Sequence, residues 1–248
     1  MNKHILLCFA VCIFLLSGFT DISEGNKLFL ASDYKGAAAR YSEIVKKDIE
    51  DANLFFNLAT SYLYSGEYGK AVYWYYRTLL LEGAREDTIR NLKMAYRGLE
   101  EDGIAAAETD SVIYDFLLKY FHPVLSVIFI VLINLMFFIL ILRKFLPIKR
   151  GVNIFFFFLS AIVIFLAIVI SLRIYFVHFQ SRGIVIVKSA EVKEGPSEAY
   201  KTIYRADEGS MVRITETYQN FFRIEASGGK IRGWVESDNI GLLKAGKL

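Results

Sequence analysis

Along this chain of 248 residues the spacing of apolar and polar positions changes from one region to the next, and each change marks a different element. Residues 1–20 place Lys3 and His4 before the apolar run "ILLCFAVCIFLL" and close on "SGFT". A basic start, a short apolar core and a small polar exit predict a secretory signal. No clean small-x-small pair marks a cleavage site, and neither cysteine follows the apolar core, where a lipidated one would stand. An uncleaved N-terminal anchor is the alternative, and it leaves the downstream orientation unchanged. Over residues 21–110, apolar positions recur three and four apart, the period of packed helices. Residues 124–142 and 152–172 carry no charge, and each is long enough as a helix to span about 30 Å of hydrocarbon. Residues 184–248 alternate with period two in short segments divided by Gly, Pro, Ser and Asn, the pattern of a small antiparallel barrel. A juxtamembrane segment (111–123), a loop (143–151) and a linker (173–183) join these parts.

The helical region contains an internal repeat. "SDYKGAAARYSEIV" (32–45) aligns with "GEYGKAVYWYYRTLL" (66–80), matching Tyr34 with Tyr68, Ala37 with Ala71 and Tyr41 with Tyr75. The offset of 34 residues is the tetratricopeptide period. Alanine fits where two helices cross closely, and a tyrosine four residues later fills the space beside the crossing. The preceding helices keep this register, with Gly25 and Leu28 in the first repeat and Phe55, Leu58, Ala59 and Tyr62 in the second. A further helix (86–99) carries Ile89, Leu92 and Tyr96 at the same relative positions. The segment after it retains only Ala105. Two full repeats and a partial third, or cap, are expected.

The nine-residue connection "RKFLPIKRG" between the uncharged runs holds Arg143, Lys144, Lys149 and Arg150 and no acid. By the positive-inside rule it is cytoplasmic, which places both flanking regions outside, as the export signal independently predicts. The expected fold class is therefore multidomain: all-α tetratricopeptide repeats, two transmembrane helices and a small all-β barrel. The expected location is the bacterial inner membrane, multi-pass, with both terminal domains in the periplasm.

Composition adds limits. Hydrophobic residues make up 54% of the chain, an excess concentrated in the apolar runs. The net charge of +3 is too small and too dispersed for a nucleic-acid partner. Both cysteines, Cys8 and Cys12, lie in the first apolar run, without the further ligands or polar surroundings a metal needs.

The C-terminal segment resembles a bacterial SH3 domain through "Val-x-Glu-Gly-Pro-Ser" (192–197), "Glu-Gly-Ser-x-Val" (208–212) and "Gly-Trp-Val" (233–235). The order signal, repeats, "RNLKMAYRGLEEDGI", apolar hairpin and SH3-like segment is similar to the E-type proteins of the Bat (Bacteroides aerotolerance) operons. That resemblance implies a membrane-bound assembly with von Willebrand A-type proteins and a MoxR-type ATPase, linked to envelope or oxidative-stress tolerance.

Catalytic chemistry is not visible in the residues. The histidines are His4, His122 and His178, and no histidine stands four residues from another. The glycines of "SGGKIRG" sit in a hairpin with no helix after them, so they cradle no phosphate. The paired acids Glu100 and Glu101 read as a solvated helix end, and no cofactor is implied. Neither apolar run buries an ionisable group, and Asn134 reads as a helix–helix hydrogen bond.

Recognition chemistry remains. Stacked helix pairs present their first helices on a concave surface. Asn26 and Asn57 fall at groove positions where peptide-binding tetratricopeptide domains often carry asparagine, whose amide both donates and accepts. Inter-helix hydrogen bonding is the alternative role for each. Asp87 and Asn91 occupy the matching places in the third such helix and argue against capture of a terminal carboxylate. Tyr73 and Tyr76 stand at usually polar, outward positions, as a partner-binding patch or as packing for the degenerate helix that follows. In the SH3-like segment Phe222, Val235 and half of Trp234 are assigned to the core. Tyr218, Phe221 and Trp234 are candidates for a peptide or glycan groove. The reading is a non-enzymatic periplasmic scaffold bound to the lipid bilayer. A peptidoglycan-binding module that recruits wall enzymes is the alternative.

Overall fold

The computed structural model describes residues 22–83, 85–104, 124–145, 150–175, 181–226 and 229–243. The expected signal (1–20) and juxtamembrane segment (111–123) lie outside the described residues. Seven α-helices appear among them: α1 (22–30), α2 (Tyr34–Val45), α3 (Ala52–Tyr64), α4 (Tyr68–Glu82), α5 (Glu86–Glu101), α6 (Val124–Phe145) and α7 (Arg150–Ile174). Seven strands follow: β1 (Arg182–Val185), β2 (Ser189–Lys193), β3 (Thr202–Asp207), β4 (Met211–Tyr218), β5 (Phe221–Ala226), β6 (Ile231–Glu236) and β7 (Ile240–Leu243).

Local chemistry sets the helix ends. Asp33 accepts from the Gly36 N–H at 2.9 Å, and Asp51 accepts from the Leu54 N–H at 2.7 Å, so α2 and α3 cap themselves. Gly66 and Gly83, with φ of 80° and 79°, turn the chain after α3 and α4. The residue before α4, Glu67, makes no such bond from its side chain. The Glu208 carboxylate accepts from the Gly69 N–H at 2.7 Å instead, across 139 residues of sequence. An anion at this end is favoured by the exposed N–H groups and by the helix dipole.

Helices α2 to α5 pack each against the next. Ala37, Ala71 and Tyr75 are fully buried, as are Phe55, Leu58 and Ala59. Gly25 is needed where α1 meets α2, because a Cβ there would stand 2.5 Å from the Tyr41 ring. The core continues into the strands. Val72, Tyr76 and Leu79 of α4 form one cluster with Ile184 of β1, Met211 of β4 and Leu243 of β7. Each large aliphatic side chain fully buried there contributes about 1.5–3 kcal/mol. A second cluster, including Val192, Val212, Phe222, Ile224 and Val235, fills the inside of the sheet.

These observations correct the expected layout of repeats, two transmembrane helices and a separate SH3-like barrel. All strands join one antiparallel sheet in the order β3-β2-β6-β5-β4-β1-β7, with β3 and β7 at its two ends. The sheet is not an independent unit, since β1 and β7 lie on α4 and share its core. The strand β1 is buried at all four positions because neighbouring strands and α4 cover it. Period-two alternation reports one buried face and does not say what covers the other. The expectation of two membrane helices is also corrected. Among the described residues only Phe155–Leu172 of α7, 18 residues, is long and apolar enough to cross a membrane. Among the described residues the apolar stretch of α6, Ser126–Ile141, is shorter.

Candidate functional site

A groove of about 310 Å³ opens between α1 and α3 over the end of Tyr41. Asn26, Phe29 and Leu30 form one wall, Phe56, Asn57 and Thr60 the other. Leu30 is 84% exposed at the lip. Phe29 packs edge-on against Tyr34 and Tyr64, whose rings stack 5.1 Å apart, so an aromatic cluster continues one end of the groove. Arg85 lies over the Phe56 ring at 4.4 Å and spends its donors on Asp87, Asn53 and Glu82.

Two polar ladders fix the floor. The Tyr41 hydroxyl donates to Asn26 Oδ1 at 2.6 Å, and the Tyr75 hydroxyl donates to Thr60 Oγ1 at 3.0 Å. In each, the acceptor precedes its tyrosine by 15 residues. Thr60 in turn donates to the Phe56 carbonyl at 2.8 Å. Burial pushes the Tyr75 hydroxyl up to about 12, against the opposing hydrogen bonds of Thr60 and Asn91, and burial raises Tyr41 as well. Neither phenol ionises near neutral pH. The lining holds no acid, base or thiol, and no group of three or more potential metal ligands exists among the described residues.

Asn57 differs from these. Its carbonyl accepts from the Ser61 hydroxyl, but its side-chain amide has no partner among the described residues and faces the groove, half-buried. A half-desolvated carboxamide between aromatic walls offers one donor and one acceptor to an extended backbone.

The structure brings Asn26 and Asn57 together on this groove and separates the other predicted site residues from it. Asn91 hydrogen-bonds the Tyr75 hydroxyl between α4 and α5, so it serves the core. Tyr76 is 3% exposed within the shared core. Tyr73 packs on Gly241 of β7, where a Cβ would lie 2.5 Å from its ring, and its hydroxyl accepts from Arg77. Both tyrosines are covered by their own sheet and offer no outward patch. Phe221 is buried and is corrected from surface to core, since it opens β5, an interior strand flanked by β4 and β6. Tyr218 is exposed with its ring 6.4 Å from half-buried Trp234, and the Arg223 guanidinium lies 6.0 Å from the Trp234 ring.

Sequence reasoning missed Phe29, Leu30, Phe56 and Thr60. One signal was present for Thr60: it follows Asn26 by the repeat length of 34, whereas Asn57 lies one helical turn earlier. No protein-family model and no curated protein matches the sequence.

Proposed function

We propose that this chain is a non-enzymatic, membrane-anchored adaptor that holds an extended segment of a partner protein in the α1/α3 groove. The observation that carries the reading is the unpartnered Asn57 carboxamide, set between Phe29 and Phe56 in an otherwise uncharged groove. Such a site favours a peptide with an apolar side chain and a free backbone amide, and it disfavours a terminal carboxylate. Lipid anchoring is supported by α7, whose Phe155–Leu172 stretch is long and apolar enough to cross a membrane and carries exposed Phe157 and Phe165. The packing of the sheet on α4 supports placing helices α1–α5 and the sheet on one side of that lipid. The export-like N-terminus favours the periplasmic side. Resemblance to the Bat proteins makes von Willebrand A-type proteins and a MoxR-type ATPase system the first partners to examine.

The test is a photo-crosslinking amino acid at position 57 of the full-length protein in its native membrane, followed by mass spectrometry. Defined partner proteins captured at position 57, and not at exposed Lys93, support the reading. Equal capture at both positions overturns it. Asn57→Ala should leave the melting temperature within the range of a change of about 0.5 kcal/mol while reducing partner recovery about fivefold or more.

A second reading, wall binding, is favoured by one observation, exposed Tyr218 beside half-buried Trp234 and Arg223. Retention of the full-length protein on purified sacculi, lost in Tyr218→Ala, would support it. Unchanged retention in that variant would remove it.

A further inference from the structure

Among the described residues, helices α1–α5 and their turns leave four large apolar side chains exposed: Leu30, Ile49, Tyr64 and Met94. Ile49 lies in the turn between α2 and α3, while the other three fall one each on α1, α3 and α5. Leu30 and Tyr64 are 34 residues apart, and Met94 follows Thr60 of the groove wall by the same interval. Because α5 packs along α3, the three form one strip that continues past the groove onto α5. With packed helices about 8–10 Å apart, Leu30 to Met94 spans about 16–20 Å, or about five to six residues of extended chain.

The strip ends beside a cation. Arg90 follows Phe56 of the groove wall by 34 residues, so it stands on α5 where Phe56 stands on α3. It is exposed and donates no hydrogen bond among the described residues. Asp87, one turn earlier, meets it only through charge, because Asp87 Oδ1 accepts from Arg85 Nε and from the Thr88 N–H, each at 2.7 Å. Arg85 itself is spent on Asp87, Asn53 and Glu82. Asn91, which matches Asn57 in the repeat, is spent on the Tyr75 hydroxyl. On α5 the open polar group is therefore a guanidinium, whose planar fork suits a carboxylate.

We propose that the binding surface runs from the α1/α3 groove across α5, and that its ligand is an extended internal segment of a partner protein, with apolar side chains over Leu30, Tyr64 and Met94 and an acidic side chain at Arg90. This rests on the reading that Asn57 holds a peptide backbone in the groove. The acid belongs to a side chain within the segment and not to a chain end, since the groove lining holds no base and Arg90 lies one helix beyond it. Lys93 has no part in this. It follows the fully buried Ala59 by 34 residues and so stands on a different side of its helix from Met94. Apolar contact supplies affinity, and the guanidinium selects among apolar segments by charge.

The experiment is selection of a phage-displayed library of random decapeptides on the full-length protein in mild detergent. The unaltered protein should enrich apolar residues with Asp or Glu about three to five positions further on. The acid should be enriched about twofold to fivefold, the worth of an exposed ion pair. Arg90→Glu should turn that preference toward Lys or Arg and keep the apolar pattern, which also shows that the variant folds. Arg90→Lys should retain a weaker preference for acid, and Lys93→Glu should leave it unchanged. An apolar pattern without an acid, an acid preference indifferent to Arg90→Glu, or one lost equally in Lys93→Glu would each overturn the proposal and leave the groove standing. No peptide pattern at all, or one indifferent to Asn57→Ala, removes the groove reading and the proposal with it.

Discussion

The outer face of α4 and the groove between α1 and α3 are both rich in aromatic side chains, yet folding treats them in opposite ways. Tyr73, Trp74 and Tyr76 on α4 are the denser cluster, and β1 and β7 close over the side that holds Tyr73 and Tyr76 while Trp74 packs on Phe55 of α3. Phe29, Tyr34 and Tyr64 form a looser cluster that stays at the surface, with an unpartnered amide close by on the groove wall. Aromatic density therefore does not mark the binding face. What distinguishes the groove is that none of the described residues covers it and that one polar group there is left without a partner among them.

The comparison can be broken most severely at Ile184, which is fully buried where the sheet meets α4. Ile184→Ala should cost about 2–5 kcal/mol in a denaturant titration, whereas Leu30→Ala at the groove lip should cost less than about 0.5 kcal/mol. Similar losses for the two would mean that the covered and open faces are not distinct. Next in size is Gly241→Ala, whose new methyl group meets the Tyr73 ring and should cost about 1–3 kcal/mol. Combining it with Tyr73→Ala should show a coupling above about 0.5 kcal/mol. Additive effects would place the tyrosine away from the sheet. Glu208→Ala removes the cap of α4 and should cost about 0.5–2 kcal/mol, with slowed exchange lost first at the Gly69 amide.

The smallest effect concerns a corner of the sheet that serves neither face. Glu236 is pushed above the usual carboxyl range by its hydrogen bond with Glu198 and by partial burial. Glu198 is held below that range by the same hydrogen bond and by Lys193. Glu236 therefore contributes stability below its unfolded value and loses it as pH rises through the folded one. Glu198 contributes above its unfolded value and loses it as pH falls through the folded one. Glu236→Gln should leave only the Glu198 limb, so that stability falls on acidification without the counter-rise. Groove binding measured at pH 7 should not change.

Much of the helical packing was legible because it is local. Ala71 and Tyr75 are close in sequence, and a period of 34 residues repeats their environment, so small and large positions could be assigned without knowing the rest of the chain. The short strands were legible from alternation, and Phe222 and Val235 are in the core as expected. Neither the cover over Tyr76 nor the buried side of Phe221 was legible, because both depend on elements distant in sequence. The groove was half legible. Asparagine marked Asn26 and Asn57, but identical residues took different tasks, one bonded to Tyr41 and one open to the groove. Residue type alone does not separate those tasks.

The cap of α4 also bears on the order in which the molecule is made. Gly69 leaves the ribosome 139 residues before its acceptor, Glu208, and the apolar helices α6 and α7 emerge between them. Until β1, β4 and β7 follow, α4 has an open N-terminus and an uncovered strip of Val72, Tyr76 and Leu79. A contact of such long range is slow to form and leaves that strip exposed to association in the meantime. The helical half thus waits in a partly finished state while the apolar helices α6 and α7 are made, and the strands made afterwards complete it.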